Sequence, residues 1–395
     1  MGKQAMRKYI VLWVIILALL PAIPGLGCQS EEITRSDIDA LAEAEVLPTP
    51  VQTSDLTSVT DSINAISATT RTDFPKSLTF NLEVESNHEI TDIELRYKIN
   101  KIASIVPTVA VNPDFTPGTE VKTSWTWDTR KSSLPPGAQV EYRWIAQNAI
   151  GEEIETDPLM LTFADLRYEW QELAKGNVQL FWYQGDQSFG QELMDAAQAA
   201  QVKLARDTGA SIEENVKIFI YANTEELQEA LIFSQDWTGG MAFSEYGIVA
   251  IGVSQSRLDW GKRTVAHELT HLVMHQVTYN PYSDMPTWLD EGLAMYAEGE
   301  LRPELKSRLN AAISLDTLFS VQSLSSSFPA ETEEAAIAYA QSYSLVEFLI
   351  EDRGGRENMQ ELLQVFKRGS ETDDALLEVY GLDADRLETE WRASL

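Results

Sequence analysis

Three of the chain's four histidines lie between residues 267 and 275. His267 and His271 are four residues apart, so on a helix their side chains lie on one face, one turn apart. Two imidazoles in this arrangement can bind the same metal ion at about 2.1 Å, and Glu268 is placed to accept a proton from water at the metal. The pattern His-Glu-Leu-Thr-His therefore predicts a zinc site, with Glu268 as the general base.

The third histidine of this segment, His275, falls on the same helical face. It follows His267 by eight residues, which corresponds to about 12 Å along a helix axis. That distance is too long for both imidazoles to bind one ion. We therefore expect His275 to pack against neighbouring side chains or to lie at the edge of the site.

A candidate third ligand, Glu291, follows His271 by 20 residues. It lies in the sequence Trp-Leu-Asp-Glu-Gly-Leu-Ala, residues 288–294, and the intervening loop can return so that a second helix supplies a carboxylate. In these motifs the chain resembles the gluzincin clan of zinc peptidases, which includes thermolysin and the large zinc aminopeptidases. The resemblance covers residues 239–349 and implies that Glu291 completes the ligand set of one Zn2+ ion per chain.

The resemblance also implies a role for Glu298, which lies seven residues after Glu291. The zinc aminopeptidases have a glutamate at the matching position, where it would orient a metal-binding histidine. A solvated surface carboxylate is the alternative. Thermolysin has an acidic group four residues after its ligand, but Met295 stands there in this chain, so the site looks more like that of the aminopeptidases.

Residues 338–349 resemble the aminopeptidase helix that bears a tyrosine acting on the transition state. Two tyrosines, Tyr339 and Tyr343, lie one turn apart in this segment. The best alignment gives the role of stabilising the oxyanion to Tyr339, with Tyr343 as the second candidate. The alternative is that both tyrosines serve only in packing.

Residues 239–243 correspond to a glycine-led segment of the aminopeptidases whose glutamate binds the free amine of the substrate. Ala242 or Phe243 stands where that glutamate is expected, so exopeptidase specificity does not follow from the resemblance. The segment could still pair with an extended peptide as an added strand.

The elements around these residues indicate an α+β multidomain protein. Residues 75–165 contain alternating apolar and polar runs, such as 78–84 and 93–97, separated by turn residues, which is typical of a small antiparallel β-sandwich. It resembles fibronectin type III and immunoglobulin-like modules, unless these strands belong to the catalytic domain. Residues 166–395 alternate strands and helices and then become mostly helical, as expected for a thermolysin-like or gluzincin-like peptidase domain.

The first 28 residues have the pattern of a signal peptide. The apolar run at residues 9–20 would span about 18 Å as a helix, short of the roughly 30 Å hydrocarbon core of a membrane. Cys28 follows it, as in bacterial lipoproteins, whose cysteine is lipidated and becomes the mature N-terminus; an ordinary cleaved signal is the alternative. Residues 29–74 are rich in Ser, Thr, Asp, Glu and Pro, which predicts a disordered stalk.

Composition limits the classes of partner and of metal site. The chain has 61 acidic and 30 basic residues, and its formal charge of −31 repels phosphate backbones, which argues against nucleic-acid binding. Its single cysteine, Cys28, excludes an intrachain disulfide and a zinc site built from several thiolates.

Together these features predict a secreted zinc metallopeptidase that hydrolyses peptides or proteins and is anchored to the outer face of the cell membrane by a lipid on Cys28. Two other functions are compatible with the sequence. The chain could be a catalytically silent surface lipoprotein that uses a peptidase-like fold to bind a partner. It could also be a zinc hydrolase that acts on non-peptide amides or on cell-wall peptides.

Overall fold

The computed structural model describes residues 52–54, 63–102, 106–132, 134–231, 239–329 and 332–395. The predicted signal peptide, Cys28 and most of the predicted stalk lie outside these residues. No helix within the described ranges is both long enough and apolar enough to cross a lipid bilayer.

The N-terminal part of the described chain, residues 52–163, is an antiparallel β-module. Its strands are β1 (Gln52–Ser54), β2 (Ile63–Asp73), β3 (Ser77–Ile99), β4 (Val109–Val111), β5 (Gly118–Asp128), β6 (Ala138–Asn148), β7 (Glu153–Glu155) and β8 (Leu159–Phe163). The first half of the long strand β3 pairs with β2 and β5, and its second half pairs with β4 and β6. β6 also pairs with β7 and β8, so β3 connects all parts of the module.

The two halves of β3 belong to two layers whose apolar sides meet. The ring centroid of Phe80, in the first half, lies 5.1 Å from that of Tyr142 on β6 and 6.2 Å from that of Tyr97 in the second half. The prediction of an antiparallel β-sandwich is therefore confirmed. The apolar runs at 78–84 and 93–97 are parts of one strand, because residues 85–92 contain no glycine or proline to break it.

The predicted stalk is wrong at its C-terminal end, because residues 63–73 form strand β2. Ile63, Ala65 and Ala68 are buried in the core of the β-module. The polar composition of this segment is typical of disordered chain, but its threonines favour strands by packing on a pleated surface. A strand that pairs with β3 along ten residues therefore forms where composition alone indicated none.

Residues 171–395 begin with a five-stranded mixed sheet. Its strands are β9 (Gln171–Lys175), β10 (Val178–Trp182), β11 (Val216–Tyr221), β12 (Gly240–Phe243) and β13 (Ile248–Gly252). The order across the sheet is β12-β13-β11-β10-β9. The three central strands are parallel, and β9 and β12 are antiparallel strands at the two edges.

Helices pack against this sheet and make up the C-terminal half of the chain. They are α1 (Gln187–Thr208), α2 (Thr224–Ala230), α3 (Leu258–Thr278), α4 (Thr287–Ala297), α5 (Pro303–Leu315), α6 (Val321–Leu324), α7 (Thr332–Glu347), α8 (Gly355–Lys367), α9 (Thr372–Tyr380) and α10 (Ala384–Ser394). Helix α3 packs against α1 and α4, and α4 packs against α7. The predicted α+β architecture with a mostly helical C-terminal half is confirmed.

The β-module packs directly on the five-stranded sheet. Phe219 and Tyr221 of β11 belong to the same apolar cluster as Phe163 and the rest of the module's core. The buried Asp165 carboxylate, just after β8, accepts hydrogen bonds from the Tyr221 hydroxyl at 3.1 Å and from Arg167 at 2.8 Å. The module and the sheet therefore share one core instead of meeting at a thin contact.

Candidate metal centre

Helix α3 presents His267 and His271 towards α4. Its other sides carry Val265, Leu269 and Leu272, none of which has any exposed surface. Burial around most of the helix fixes its rotation, because turning it would expose these apolar side chains. The two histidines are therefore held in one direction before any metal binds.

The ligand set predicted from the sequence comes together in the structure. One donor atom from each of His267, His271 and Glu291 lies within 4.8 Å of the others. The Nε2 atoms of His267 and His271 are 3.4 Å and 3.6 Å from Oε2 of Glu291. Donor atoms about 2.1 Å from a tetrahedral ion are separated by about 3.4 Å, so these distances suit zinc.

The same three donor atoms are buried and have no hydrogen-bond partner among the described residues. Buried polar atoms are nearly always satisfied, and each one that is not destabilises the fold by about 1–3 kcal/mol. A divalent cation bound to His267, His271 and Glu291 would satisfy all three at once. The residues present therefore fit a metal ion.

Two carboxylates contact the imidazoles at their Nδ1 atoms, on the side away from the candidate metal position. Nδ1 of His267 lies 2.8 Å from Oε1 of Glu298, and Nδ1 of His271 lies 3.0 Å from Oδ2 of Asp290. An imidazole that donates its Nδ1 proton to a carboxylate keeps Nε2 free to bind a metal. The structure thus brings Glu298, predicted from the sequence, to the site, and it adds Asp290.

The role of Asp290 does not follow from the sequence motifs, although one signal points to it. Asp290 is a largely buried charge in a helix whose neighbouring residues, Trp288, Leu289 and Leu293, are fully buried and apolar. Charged side chains in such surroundings are nearly always paired. That rule indicates a partner but not its identity, since His271 lies on another helix.

The carboxylates around the histidines favour positive charge at the site. Burial disfavours the imidazolium form of His267, but the nearby carboxylates of Glu291 and Glu298 outweigh burial and raise its pKa well above the usual value. Burial also disfavours the imidazolium form of His271, but the charges of Asp290 and Glu291 outweigh burial and raise the pKa of this side chain. This balance of charges is the one expected around a cation.

Glu268 is fully buried beside the histidines, and both of its oxygens lack a hydrogen-bond partner within the described part of the chain. Burial raises the pKa of this carboxyl to about 7. A bound cation would act in the opposite direction. Strand β12 passes directly over this group, because a Cβ atom added to Gly240 would lie 2.8 Å from Oε1 of Glu268.

The structure distinguishes the two candidate tyrosines of α7. The ring centroid of Tyr339 lies 6.5 Å from that of His267, and the side chain is buried. The hydroxyl of Tyr343 instead donates to Glu347 at 2.9 Å, and its ring packs near Tyr296. Of this pair, Tyr339 is therefore the one packed near His267 of the candidate ligand set.

His275 lies one turn beyond His271, as its spacing indicates. Its ring centroid is 5.3 Å from that of Tyr279, and burial lowers its pKa. It is not part of the group of donor atoms that could bind the ion.

Gly292 permits close contact between α4 and α7. A Cβ atom at this position would collide with the backbone oxygen of Ser342 and with the side chain of Val346. The residue next to the ligand Glu291 therefore has to be small for the two helices to approach as they do.

A family model described as the Peptidase MA superfamily matches residues 196–395, slightly more than half of the chain. A search of curated proteins finds no match. Among solved structures, Legionella pneumophila aminopeptidase A in complex with aspartic acid is similar over 86% of this chain, with 11% identity and a TM-score of 0.38. This chain spans 50% of the length of that protein.

Two further solved structures are M1 zinc metallopeptidases. A mutant of the enzyme from Deinococcus radiodurans is similar over 81% of this chain and 91% of its own, with 13% identity and a TM-score of 0.36. A two-domain M1 zinc metallopeptidase bound to L-arginine is similar over 82% of this chain and 91% of its own, with 12% identity and a TM-score of 0.37.

Proposed function

Because this chain belongs to the Peptidase MA superfamily, we propose that it is a zinc-dependent peptidase with Glu268 as its general base. The observation that carries the proposal is the set of unpartnered donor atoms on His267, His271 and Glu291 beside the buried Glu268 carboxylate, all within the described residues. Structural zinc sites usually have four protein ligands, whereas catalytic sites have three. A set of three ligands therefore favours a catalytic ion.

The metal ligands and Glu268 have separate roles in the proposed hydrolysis. His267, His271 and Glu291 would hold the ion, which when bound lowers the pKa of water towards about 7 and polarises the scissile carbonyl. Glu268 accepts a proton from the water that attacks this carbonyl and then donates it to the amine that leaves. The peptide bond is thereby replaced by a carboxylate and a free amine.

Tyr339 is the candidate for stabilising the oxyanion that develops during attack. Its ring lies beside His267 and it is the one tyrosine of the pair on α7 that faces the ligands. A phenol hydroxyl can donate a hydrogen bond to a developing negative charge, and such donors contribute a large part of many enzymes' rate enhancement.

Strand β12 is the proposed binding edge for the substrate. No described strand pairs with it on its outer side, so its backbone groups can pair with an extended peptide. Because Gly240 lies against Glu268, a peptide bound along β12 would pass close to the general base.

The substrate's N-terminal amine has no carboxylate to bind on β12. Ala242 and Phe243 are uncharged, and the next acidic residue, Glu245, is paired with Lys101. We therefore infer that β12 does not supply a carboxylate for a free N-terminal amine of the substrate.

We also propose that the mature chain acts outside the cytoplasm and is held at the membrane by a lipid on Cys28. The support is the sequence of the first 28 residues, which lie outside the described part of the structure. Incorporation of an alkyne-labelled fatty acid into the full chain tests this, with Cys28→Ser as the variant that should lose the label. A cleaved chain that lacks Cys28 and carries no label would support the ordinary signal instead.

The enzymatic proposal is tested by incubating the purified full chain with a mixed peptide library whose members have free or acetylated N-termini. We expect cleavage of both groups, loss of cleavage with a chelator, and recovery when Zn2+ is restored. Zinc bound at one ion per chain without cleavage of any peptide would contradict the proposal. It would favour the catalytically silent surface protein.

A further inference from the structure

One of the contacts between the β-module and the peptidase sheet lies close to the proposed active site. A short 3-10 turn, Ser244–Tyr246, connects β12 to β13. The backbone N–H of Ile102, in the loop after β3, donates to the carbonyl of Glu245 at 2.6 Å. Lys101 forms an ion pair with the Glu245 carboxylate and lies 5.2 Å from the centroid of the Tyr246 ring.

Shape complementarity adds to these polar contacts. Gly247, at the end of the turn, has a φ of 65°, and a Cβ atom there would lie 2.5 Å from Cδ1 of Ile102. The turn is thus held by a backbone hydrogen bond, an ion pair, a cation–ring contact and a close apolar contact. All four come from two residues of the β-module, Lys101 and Ile102.

The turn held in this way leads directly into the strand beside the general base. Gly240, which lies against Glu268, is five residues before Glu245. Within the described residues β12 has a single paired neighbour, β13, and the pairing ends at Phe243 with Ile248. An edge strand with one neighbour depends on its connecting turn for its position more than a central strand does.

The environment of the Lys101 ammonium suits a positioning role. The exposed fraction of its side chain is 23%, so solvent screens this ion pair less than it screens a fully exposed one. The Tyr246 ring adds a cation–π attraction that favours the position of the Lys101 ammonium in this ion pair. The other lysine ion pair at this end of β3, between Lys98 and Glu141, lies within the β-module and does not reach the turn.

We propose that Lys101 of the β-module is a positioning residue for substrate binding, which holds the Ser244–Tyr246 turn and thereby the substrate-binding edge of β12 next to Glu268. The inference rests on the proposed peptidase function for its kinetic consequence. The β-module is on this view a part of the substrate cleft and not an appended binding domain. Lys101 acts through Glu245 and the strand and does not touch the reacting atoms.

The test uses the zinc-loaded full chain and three variants: Lys101→Met, which removes the charge, Lys101→Arg, which keeps it, and Lys98→Met as the matched control. The first measurement is the steady-state kinetics of a quenched fluorescent peptide that the wild-type chain cleaves. We expect Lys101→Met to raise KM about fivefold and to change kcat less than about twofold, because it affects binding and not the chemical step. Lys101→Arg and Lys98→Met should both behave as the wild type.

The second measurement is hydrogen–deuterium exchange of residues 240–246 in the zinc-bound chain without substrate. Faster exchange in Lys101→Met, but not in Lys101→Arg or Lys98→Met, supports the proposal even if no cleavable peptide exists. Unchanged exchange and unchanged KM in a folded Lys101→Met variant overturn it. If that variant does not fold, Glu245→Gln removes the same ion pair from the other side and is judged by the same two measurements.

Discussion

Nδ1 of His271 lies 3.0 Å from a carboxylate oxygen of Asp290, the residue directly before the proposed metal ligand Glu291. One turn of α4 would therefore supply both a ligand for the ion and the group that orients a second ligand. Such supporting carboxylates typically strengthen metal binding by about 10- to 100-fold.

We accordingly expect Asp290→Ala to weaken zinc affinity by about 10- to 100-fold, because the His271 imidazole loses the acceptor that fixes its orientation. Competition with a zinc-binding dye measures the change. Asp284→Ala is the matched control, since Asp284 is exposed and precedes the helix. Equal zinc affinity in Asp290→Ala and the wild type would show that Asp290 does not support the site.

Glu268→Gln should separate metal binding from chemistry. The substitution keeps the size of the side chain but removes the proton acceptor, so we expect normal zinc content and a kcat lower by about 100- to 10,000-fold. Metal analysis and peptide cleavage are measured on the same preparation. Glu300→Gln, an exposed glutamate near the site, is the control. Substantial turnover in Glu268→Gln would assign the base to another residue.

The two tyrosines of α7 should respond differently to loss of their hydroxyls. Tyr339→Phe removes the candidate oxyanion donor, so kcat should fall by about 100-fold while zinc content is unchanged. Tyr343→Phe removes a hydrogen bond to Glu347 and leaves the candidate ligands untouched, so kcat should stay within about twofold and stability should fall by about 1 kcal/mol. The reverse pattern would move the role to Tyr343.

Asp207, at the end of α1, provides a prediction on acid stability. Its carboxylate is buried and contacts Arg206 at 2.7 Å and Arg356 at 3.0 Å. Burial alone would raise its pKa, but the hydrogen bonds of Arg206 and the nearby positive charges outweigh burial and lower it. We expect Asp207→Asn to reduce the free energy of unfolding at pH 7 by about 1–3 kcal/mol.

The pH dependence follows from the direction of that shift. A pKa lowered on folding gives stabilisation that is present above the unfolded-state pKa of about 3.9 and is lost as the pH falls through the lower native pKa. The difference between the wild type and Asp207→Asn should therefore shrink below about pH 4. Urea unfolding at several pH values measures it, with the exposed Asp195→Asn as control. A difference that grows on acidification would be inconsistent with a lowered pKa.

The sequence alone predicts the site best where the candidate residues lie on a single helix. His267, Glu268 and His271 are within one and a half turns of α3, so their spacing fixes their relation to one another. Glu291 lies on another helix and Glu298 directly follows the end of that helix. Both are identified by resemblance to known peptidases. The structure brings both to the histidines, at 3.4 Å and 2.8 Å from His267.

Contacts between distant segments could not be predicted in this way. Asp290 meets His271 only when α3 and α4 pack, and Lys101 meets Glu245 only when the β-module docks on the sheet. The residues of strand β2 are predicted as stalk because their alternation of apolar and polar types is too weak to outweigh their polar composition. The first two interactions join separate elements of the fold, whereas β2 is stabilised by pairing with the adjacent strand β3.

The close approach of α4 and α7 at Gly292 has a mechanical consequence. Two helices in backbone contact move together, so the Glu291 carboxylate and the Tyr339 phenol belong to one rigid half of the cleft. Both imidazoles and Glu268 belong to the other half, on α3. A displacement of one half against the other would therefore move the candidate metal ligands, the proposed base and the proposed oxyanion donor relative to one another at the same time.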